Sequence, residues 1–273
     1  IPGHPIAYWL RPAIRAIFKE CTSIGSESNS RKGMVTANNE IYVMGWSEVS
    51  FKRIGFSFTN NEQASKSDVK WVPYLKGGDY RRWYGNQDYI VLWENGGEKI
   101  RNTMHPTENR IHATNFNLDY IFKAGITWSD IATSNIGFRY TPQGFIFDAK
   151  SPTAFGFKDA MCALGALNSK LTNHLAQVIN PTVSFQVGNY DSLPHLKCSD
   201  PEKLRAVIEE LIEISKKDWQ SFETSWDFGK TPLASMNSHS LQAAFDEWSS
   251  TCLALTNKSK YLEEENNKIY IEE

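Results

Sequence analysis

The sequence predicts an α/β (α+β) fold, in which a domain built on a mixed sheet is followed by a long antiparallel helical or coiled-coil pair. Between residues 41 and 150, short runs rich in β-branched and aromatic residues alternate with turn clusters, as in strands. Helical spacing of apolar residues takes over after residue 158. The hydrophobic content of 41% is that of a folded chain, and no apolar run approaches the ~20 residues of a membrane span.

The first 150 residues contain the predicted strands. Apolar residues at three-to-four spacing predict a short helix over 6–21, and the polar stretch 22–40 predicts a loop. Turn clusters at Asn95-Gly96-Gly97 and Pro142-Gln143-Gly144 separate later elements, and residues 103–119 predict a long irregular excursion. The predicted strands are 41–46, 53–58, 69–73, 89–93, 126–128, 136–140 and 144–148.

Helices dominate the rest of the chain. Two apolar helices are predicted over 158–167 and 169–179, ending at Asn180-Pro181, and the alternation in 183–187 predicts a strand. Helices over 199–218 and 240–270 are predicted to pair antiparallel, the second with a seam that steps by three and four. The pattern favours a projecting arm over a hairpin packed on the main domain. The seam positions are Leu241, Phe245, Trp248, Cys252, Leu255, Ser259, Leu262, Asn266 and Ile269.

Charge and cysteine usage narrow the class of protein. Residues 1–195 carry 20 Lys and Arg against 16 Asp and Glu, whereas residues 196–273 carry 9 against 15. Any polyanion is therefore expected on the front part of the chain. Four scattered cysteines without a C-x-x-C pair predict neither a disulfide framework nor a zinc site, and fit the cytoplasm. Without an initiator Met or signal peptide, the N-terminus is expected to be a cut within a longer protein.

The stretch 71–86 carries the strongest functional signal. It surrounds the glycine pair Gly77-Gly78 with three cations, Lys76, Arg81 and Arg82, and with five aromatic residues. Glycines let a backbone approach a ligand closely, and cationic side chains bind phosphate oxygens. The stretch therefore predicts a loop that binds a polyanion, with nucleic acid as the expected ligand. A solvated hairpin with an aromatic clamp is the alternative.

Motifs for catalysis are absent from the sequence. It has no P-loop, no G-x-G-x-x-G and no H-E-x-x-H, and its six histidines are spread along the chain. Asn180-Pro-Thr-Val183 lacks the second proline and the aromatic of the N-P-P-[YF] loop with which adenine methyltransferases hold a flipped base. We therefore predict no catalytic, cofactor-binding or metal-binding residue, and no methyl transfer by this chain alone.

A series of ordered motifs resembles the BREX phage-defence adenine-specific DNA methyltransferases, the PglX family, which are related to type IIG restriction-modification enzymes. Ala37 stands where that family usually has glycine. The matching segments are Ile1-Pro-Gly-His-Pro-Ile-Ala-Tyr-Trp9, Arg31-Lys-Gly-Met-Val-Thr-Ala-Asn-Asn39, 71–83, 125–129, 139–148, 167–170, 180–188, 221–228 and 266–271.

The resemblance implies that three successive segments of the chain have different roles. Residues 1–30 would be the helical end of an upstream methyltransferase domain with its linker, 31–195 a target-recognition domain, and 196–273 a helical spacer. It implies double-stranded DNA and the upstream methyltransferase domain as partners. S-adenosylmethionine would serve the parent enzyme and not this chain.

Candidate DNA-binding residues follow from the motifs and their charges. The first group is Lys76, Gly77, Gly78, Arg81 and Arg82, and the second is Arg31, Lys32 and Arg110. The cationic side chains of both groups are expected at phosphates. Gln186 and Asn180 are candidates for adenine edges, with a structural turn favoured for Asn180. One alternative is a protein-interaction module that docks other phage-defence proteins. A carbohydrate-binding domain, suggested by the nine tryptophans, is a weaker one.

Overall fold

The computed structural model describes residues 10–132, 135–198, 200–236 and 240–271. Within these ranges the chain forms eight strands and ten α-helices. The strands are β1 Asn29–Arg31, β2 Val43–Gly45, β3 Trp71–Leu75, β4 Tyr89–Leu92, β5 Gly125–Trp128, β6 Phe138–Thr141, β7 Ile146–Phe147 and β8 Thr153–Phe155. The helices are α1 Pro12–Glu20, α2 Asn39–Tyr42, α3 Asn61–Ser65, α4 Glu94–Arg101, α5 Ala160–Asn168, α6 Lys170–Ile179, α7 Val187–Asp191, α8 Pro201–Gln220, α9 Pro232–Ser235 and α10 Leu241–Ile271.

The strands form two four-stranded sheets, which confirms the predicted mixed α/β class. Sheet one has the order β1-β8-β5-β6 and is antiparallel throughout. Sheet two has the order β2-β4-β3-β7, and only its β3–β7 pair is parallel. Parallel strands end at the same edge of a sheet, so residues that follow β3 and β7 become neighbours.

Two predicted strands are absent, and two short strands were missed. Residues 51–53 form a 3-10 turn, and Ile54 makes only an isolated bridge with Trp71, so 53–58 is not a strand. In 183–187, Ser184 makes one bridge with Ile131, and Val187 already begins α7. The missed strands, β1 and β8, have three residues each and pair with one another. The excursion 103–119 is irregular, as predicted.

Two main clusters of buried side chains form the core. One joins sheet one to α5, α6, α8 and the C-terminal half of α10, with Trp128 stacked on Tyr190 at its centre. The other joins sheet two to residues of the excursion such as Ala113, and it contains Tyr74 and Phe122. Burial of this apolar surface drives the assembly of both layers.

The C-terminal helices pair antiparallel. Lys203 contacts Glu265 at 3.7 Å and Lys258 contacts Glu210 at 3.2 Å, so α8 and α10 run in opposite directions. Helix α8 begins at Pro201, and the Asp200 side chain caps it by accepting a hydrogen bond from Lys203 N at 3.1 Å.

A free-standing coiled-coil spacer is not confirmed. Leu204, Ile208 and Leu211 of α8 are fully buried in the same core as sheet one, together with Leu262 and Tyr270 of α10. The first half of α10 is mostly exposed, with Leu241 at 76% and Phe245 at 53%, and Tyr261 and Ile271 of the second half are exposed as well. The pair is therefore a hairpin that joins the core through residues 204–212 of α8 and through Leu262 and Tyr270 of α10. No helix among the described residues has both the length and the apolar character needed to cross a bilayer.

Candidate nucleic-acid interface

The parallel pairing of β3 and β7 brings two cationic segments together. Lys76 directly follows β3, and Asp148 directly follows β7. The Lys76 ammonium donates to Oδ2 of Asp148 at 2.9 Å, and so does the hydroxyl of Tyr74, also at 2.9 Å. Asp148 is buried, and the backbone N–H of Lys150 donates to its other oxygen at 2.7 Å. One buried carboxylate thus fixes the position of Lys76 and the backbone of Lys150.

A second buried carboxylate holds the side chain of Lys150. Asp130, two residues beyond the end of β5, accepts a hydrogen bond from the Lys150 ammonium at 2.8 Å and one from the Ser184 hydroxyl at 2.8 Å. The Lys150 side chain remains 58% exposed. The Lys150 ammonium is therefore accessible to solvent, while its contact with the buried Asp130 fixes its position.

Three adjoining clefts run past these lysines. The first, of about 430 Å³, is lined by Lys76 and Lys150, and the second, of about 380 Å³, contains both lysines and adds Lys32. The third, of about 90 Å³, is lined by Lys32 and Gln186. Lys32 is exposed and makes no ion pair with a described carboxylate. We call this surface, bordered by Lys32, Lys76 and Lys150, the lysine groove.

The glycine pair has the backbone conformation that the sequence predicts. Gly77 has φ +87° and Gly78 has φ +118°, a region that favours glycine. A Cβ at Gly77 would lie 2.8 Å from the carbonyl oxygen of Lys150, so the loop after β3 packs directly on the loop after β7. This close approach brings Lys76 and Lys150 to the same surface.

Arg81 and Arg82 point toward the C-terminal helices. Arg81 donates to Oδ2 of Asp218 on α8 at 2.9 Å and lies over the Trp219 ring, with its guanidinium carbon 5.1 Å from the centroid. Arg82 donates to Oε2 of Glu263 on α10 at 2.6 Å. Both guanidinium groups are therefore engaged by carboxylates, and in this arrangement they hold the helical pair against the loop.

The remaining candidates lie at the margins or elsewhere. Arg31 donates to the Tyr120 hydroxyl at 2.8 Å and stacks on that ring. Arg110 is exposed on the excursion and paired with Glu108. Gln186 is exposed at the groove and is the N-cap residue of α7, where its backbone N–H donates to the Asn189 side chain at 2.9 Å. The Asn180 side chain accepts from Thr182 N at 3.0 Å and donates to the Ser184 carbonyl, so it holds a turn.

Two features were not found from the sequence. Lys150 belongs to the groove but lies in a loop whose neighbours are set by tertiary structure. His105 and His112, predicted to be apart, have ring centroids 4.6 Å apart, and burial lowers the pKa of His105, as does the charge of Arg110. In the described ranges no group of three or more His, Cys, Asp and Glu is placed to hold a metal ion.

The sequence of this chain is similar to named proteins over its whole length. It is 34% identical over 280 residues to the adenine-specific methyltransferase PglX of Lacticaseibacillus casei (strain Zhang), covering 100% of this chain and 23% of that protein. It is 34% identical over 238 residues to the adenine-specific methyltransferase BrxX of Escherichia coli O9:H4 (strain HS), covering 85% of this chain and 18% of that protein. The chain belongs to the PglX/BrxX family. It corresponds to one segment of those much longer proteins.

A solved structure shares the fold of this segment. The type IIL restriction-modification enzyme MmeI, determined in complex with DNA, superposes with a TM-score of 0.52 at 12% identity, over 91% of this chain and 33% of the enzyme. No protein-family model matches the chain. The family resemblance read from the ordered motifs is thus confirmed by the PglX and BrxX alignments, while MmeI supports the fold.

Proposed function

We propose that this PglX/BrxX segment recognises double-stranded DNA for a larger, S-adenosylmethionine-dependent adenine-N6 methyltransferase of phage defence and restriction-modification. In this proposal residues 31–195 form the recognition unit, and the helical pair within 196–273 positions it relative to other parts of the polypeptide. Methyl transfer belongs to a catalytic domain outside this segment. The names of the relatives and the DNA in the MmeI structure support this assignment.

The observation that carries the proposal is the lysine groove. Duplex DNA presents a row of phosphates, and a protein binds it with cations at fixed positions that displace condensed counterions. Lys76 and Lys150 are held by the buried Asp148 and Asp130, and Lys32 adds a third charge along the same surface. Because carboxylates already fix the positions of Lys76 and Lys150, these two side chains lose little conformational entropy when DNA binds.

The groove can also carry base readout. Phosphate contacts set position, whereas polar side chains at base edges set sequence preference. Gln186 lies beside Lys32 in the third cleft, and its amide can pair with an adenine edge. Arg81 and Arg82 act in this account as ties between the recognition unit and the helices, because the carboxylates that they contact belong to α8 and α10.

Exchanging the segment between relatives tests the proposal. The matching part of Lacticaseibacillus casei PglX is replaced by this chain, and the methylated sites of the hybrid are determined by sequencing. We expect the hybrid to methylate the motif of this chain's own parent. An active hybrid that still methylates the Lacticaseibacillus motif would contradict the proposal, and a Gln186→Ala hybrid tests whether that residue contributes to the motif.

A second candidate function rests on the exposed half of α10. Leu241, Phe245 and Leu253 leave more than half of their surface exposed on one helix. An apolar row of this kind favours docking against another protein surface. Replacing all three by Gln and measuring co-purification with partner proteins of the defence system tests it, with unchanged co-purification as the contrary result.

A further inference from the structure

A buried arginine lies in the floor of the first cleft of the lysine groove. Arg139, on β6, is 1% exposed and lines this cleft together with Lys76, Lys150 and Ser129. The same cleft contains one carboxylate, that of Asp79. Lys76 and Lys150 are paired with Asp148 and Asp130, whereas Arg139 has no ion pair among the described residues.

Arg139 is poorly satisfied by the protein. Within the described residues no carboxylate lies within 4 Å of its guanidinium, and its Nε has no hydrogen-bond partner. Nη1 donates to the carbonyl oxygens of Arg81 and Gly137 at 3.3 and 3.5 Å, and Nη2 donates to the Ser129 hydroxyl at 3.3 Å. All three bonds are long for a charged donor.

Such an arrangement is costly unless an anion completes it. A buried charge is usually paired, because the loss of hydration is large. Burial lowers the pKa of Arg139 to about 10, with the nearby Arg81 charge as a further cause, so the group is still cationic at neutral pH. Lys76 and Lys150 are partly neutralised by their own carboxylates, which leaves Arg139 as the least compensated charge of the cleft.

We propose that Arg139, with Ser129 and Lys150, forms a binding site for a phosphate group in the first cleft. The guanidinium and the Lys150 ammonium would supply the donors. The Ser129 hydroxyl, which donates to the Gly78 carbonyl at 3.0 Å and accepts from Nη2 of Arg139, would hold the guanidinium in place. This deepens the proposed function and rests on it for the source of the ligand, a phosphate of the DNA backbone. The site would fix the register of the duplex on the groove.

Thermal unfolding in inorganic phosphate tests the site without DNA. The Tm of the wild-type chain is compared in sodium phosphate and in sodium chloride at equal ionic strength. Phosphate stabilises most proteins by exclusion from their surface. The test therefore compares the rise in Tm that phosphate causes in the wild type with the rise that it causes in Arg139→Met. We expect the phosphate-dependent rise in Tm to be smaller in Arg139→Met than in the wild type. It should be unchanged in Arg53→Met, which removes an exposed arginine outside the groove.

A second variant guards against a folding defect in Arg139→Met. Ile131 is 56% exposed and lines the same cleft, so Ile131→Glu places a carboxylate there without touching the core. Ile131→Gln is its uncharged control. We expect the Glu variant, and not the Gln variant, to lose the phosphate-specific rise in Tm.

Duplex binding distinguishes the source of the phosphate. Arg139→Met and Ile131→Glu should weaken binding to all duplexes roughly tenfold or more, and Arg139→Met should lower the salt slope by about one unit. If wild type binds duplexes and both variants match it in affinity, slope and phosphate response, the site is wrong and the proposed function stands. In a further outcome the wild type binds no duplex, yet phosphate raises its Tm and both variants lose this rise. The site then binds a phosphate from another source, and the proposed function fails. Weakening confined to one sequence would assign Arg139 to a base and overturn the phosphate assignment.

Discussion

Arg82 donates a hydrogen bond to Glu263 at 2.6 Å, across 181 residues of sequence, and this ion pair ties the loop after β3 to helix α10. The same carboxylate accepts a hydrogen bond from the indole N–H of Trp83 at 2.9 Å. Trp83 is almost fully buried, so Glu263 satisfies a buried donor as well as a cation. The stretch 71–86, which carries the strongest functional signal in the sequence, is therefore also the segment to which the helical pair is attached.

Removing Glu263 should loosen this attachment. Glu263→Ala leaves the Trp83 indole unsatisfied and Arg82 without its partner, so we expect the free energy of unfolding to fall by about 2–4 kcal/mol. Glu264→Ala, at the adjacent exposed position, is the matched control and should change little. Urea denaturation measures both. Equal stabilities of the two variants would show that the Glu263 contacts do not hold the helices.

The N-cap of α5 should give a pH-dependent stability. Asp159 accepts hydrogen bonds from the N–H groups of Met161 and Cys162, and it pairs with Arg205 of α8 at 2.7 Å. Burial alone would raise the pKa of Asp159, but the hydrogen bonds from Arg205 and Cys162 outweigh it, so this pKa is lowered. A lowered pKa means that the stabilisation is complete above about pH 4, the ordinary pKa of Asp, and is lost as the pH falls through the lower value.

Two variants separate the cap from the charge. At pH 7 we expect Asp159→Ala to cost about 1–2 kcal/mol, and Asp159→Asn to cost less because its amide oxygen still caps the helix. The difference between wild type and Asp159→Asn should vanish as the pH falls below the lowered pKa. Denaturation curves between pH 7 and pH 3 test this. A difference that is constant over that range would contradict a charged cap.

Ala37 is held in a conformation that suits glycine. Its φ is +70°, in the left-handed region that favours glycine. Ala37→Gly should relieve this strain and raise the free energy of unfolding by up to about 1 kcal/mol, since the greater freedom of the unfolded glycine offsets part of the gain. Ala206→Gly, on an exposed face of α8, should lower it by about 1 kcal/mol. A loss of stability in both variants would show that Ala37 is not strained.

The chain should not bind S-adenosylmethionine by itself. Its sequence has no G-x-G-x-x-G, the Gly96-Gly97 pair after β4 is buried, and the amide of Asn180 is occupied by its own turn. Calorimetry should therefore detect no heat of binding, with the full-length parent as positive control. A micromolar Kd for the isolated chain would place a cofactor site inside this segment.

Local sequence signals predicted elements whose residues match their environment. Trp71–Leu75 and Tyr89–Leu92 are rich in β-branched and aromatic residues, and they form adjacent strands near the middle of sheet two. Asn29–Arg31 is polar throughout, and only its pairing with β8 makes it a strand. In 183–187 the alternation was misleading, because Gln186 caps a helix there.

The candidate site was predictable only in part, for a similar reason. Lys76 and the glycine pair could be found because they lie within one motif. Lys150 could not, since only the parallel pairing of β3 with β7 brings its loop beside Lys76. The carboxylates that engage Arg81 and Arg82 lie 137 and 181 residues further along the chain, so local sequence gives no sign of these contacts.

The salt dependence of duplex binding tests the central claim most directly. The triple variant Lys32→Gln, Lys76→Gln, Lys150→Gln removes the charges of the lysine groove and keeps a donor at each position. The control triple replaces Lys66, Lys99 and Lys230, which are exposed outside the groove, by Gln. We expect the slope of log K against log salt to fall in magnitude by about three units for the groove variant, at roughly 0.9 per phosphate contact, and to stay unchanged for the control. An unchanged slope and affinity in the groove variant would show that this surface does not bind DNA.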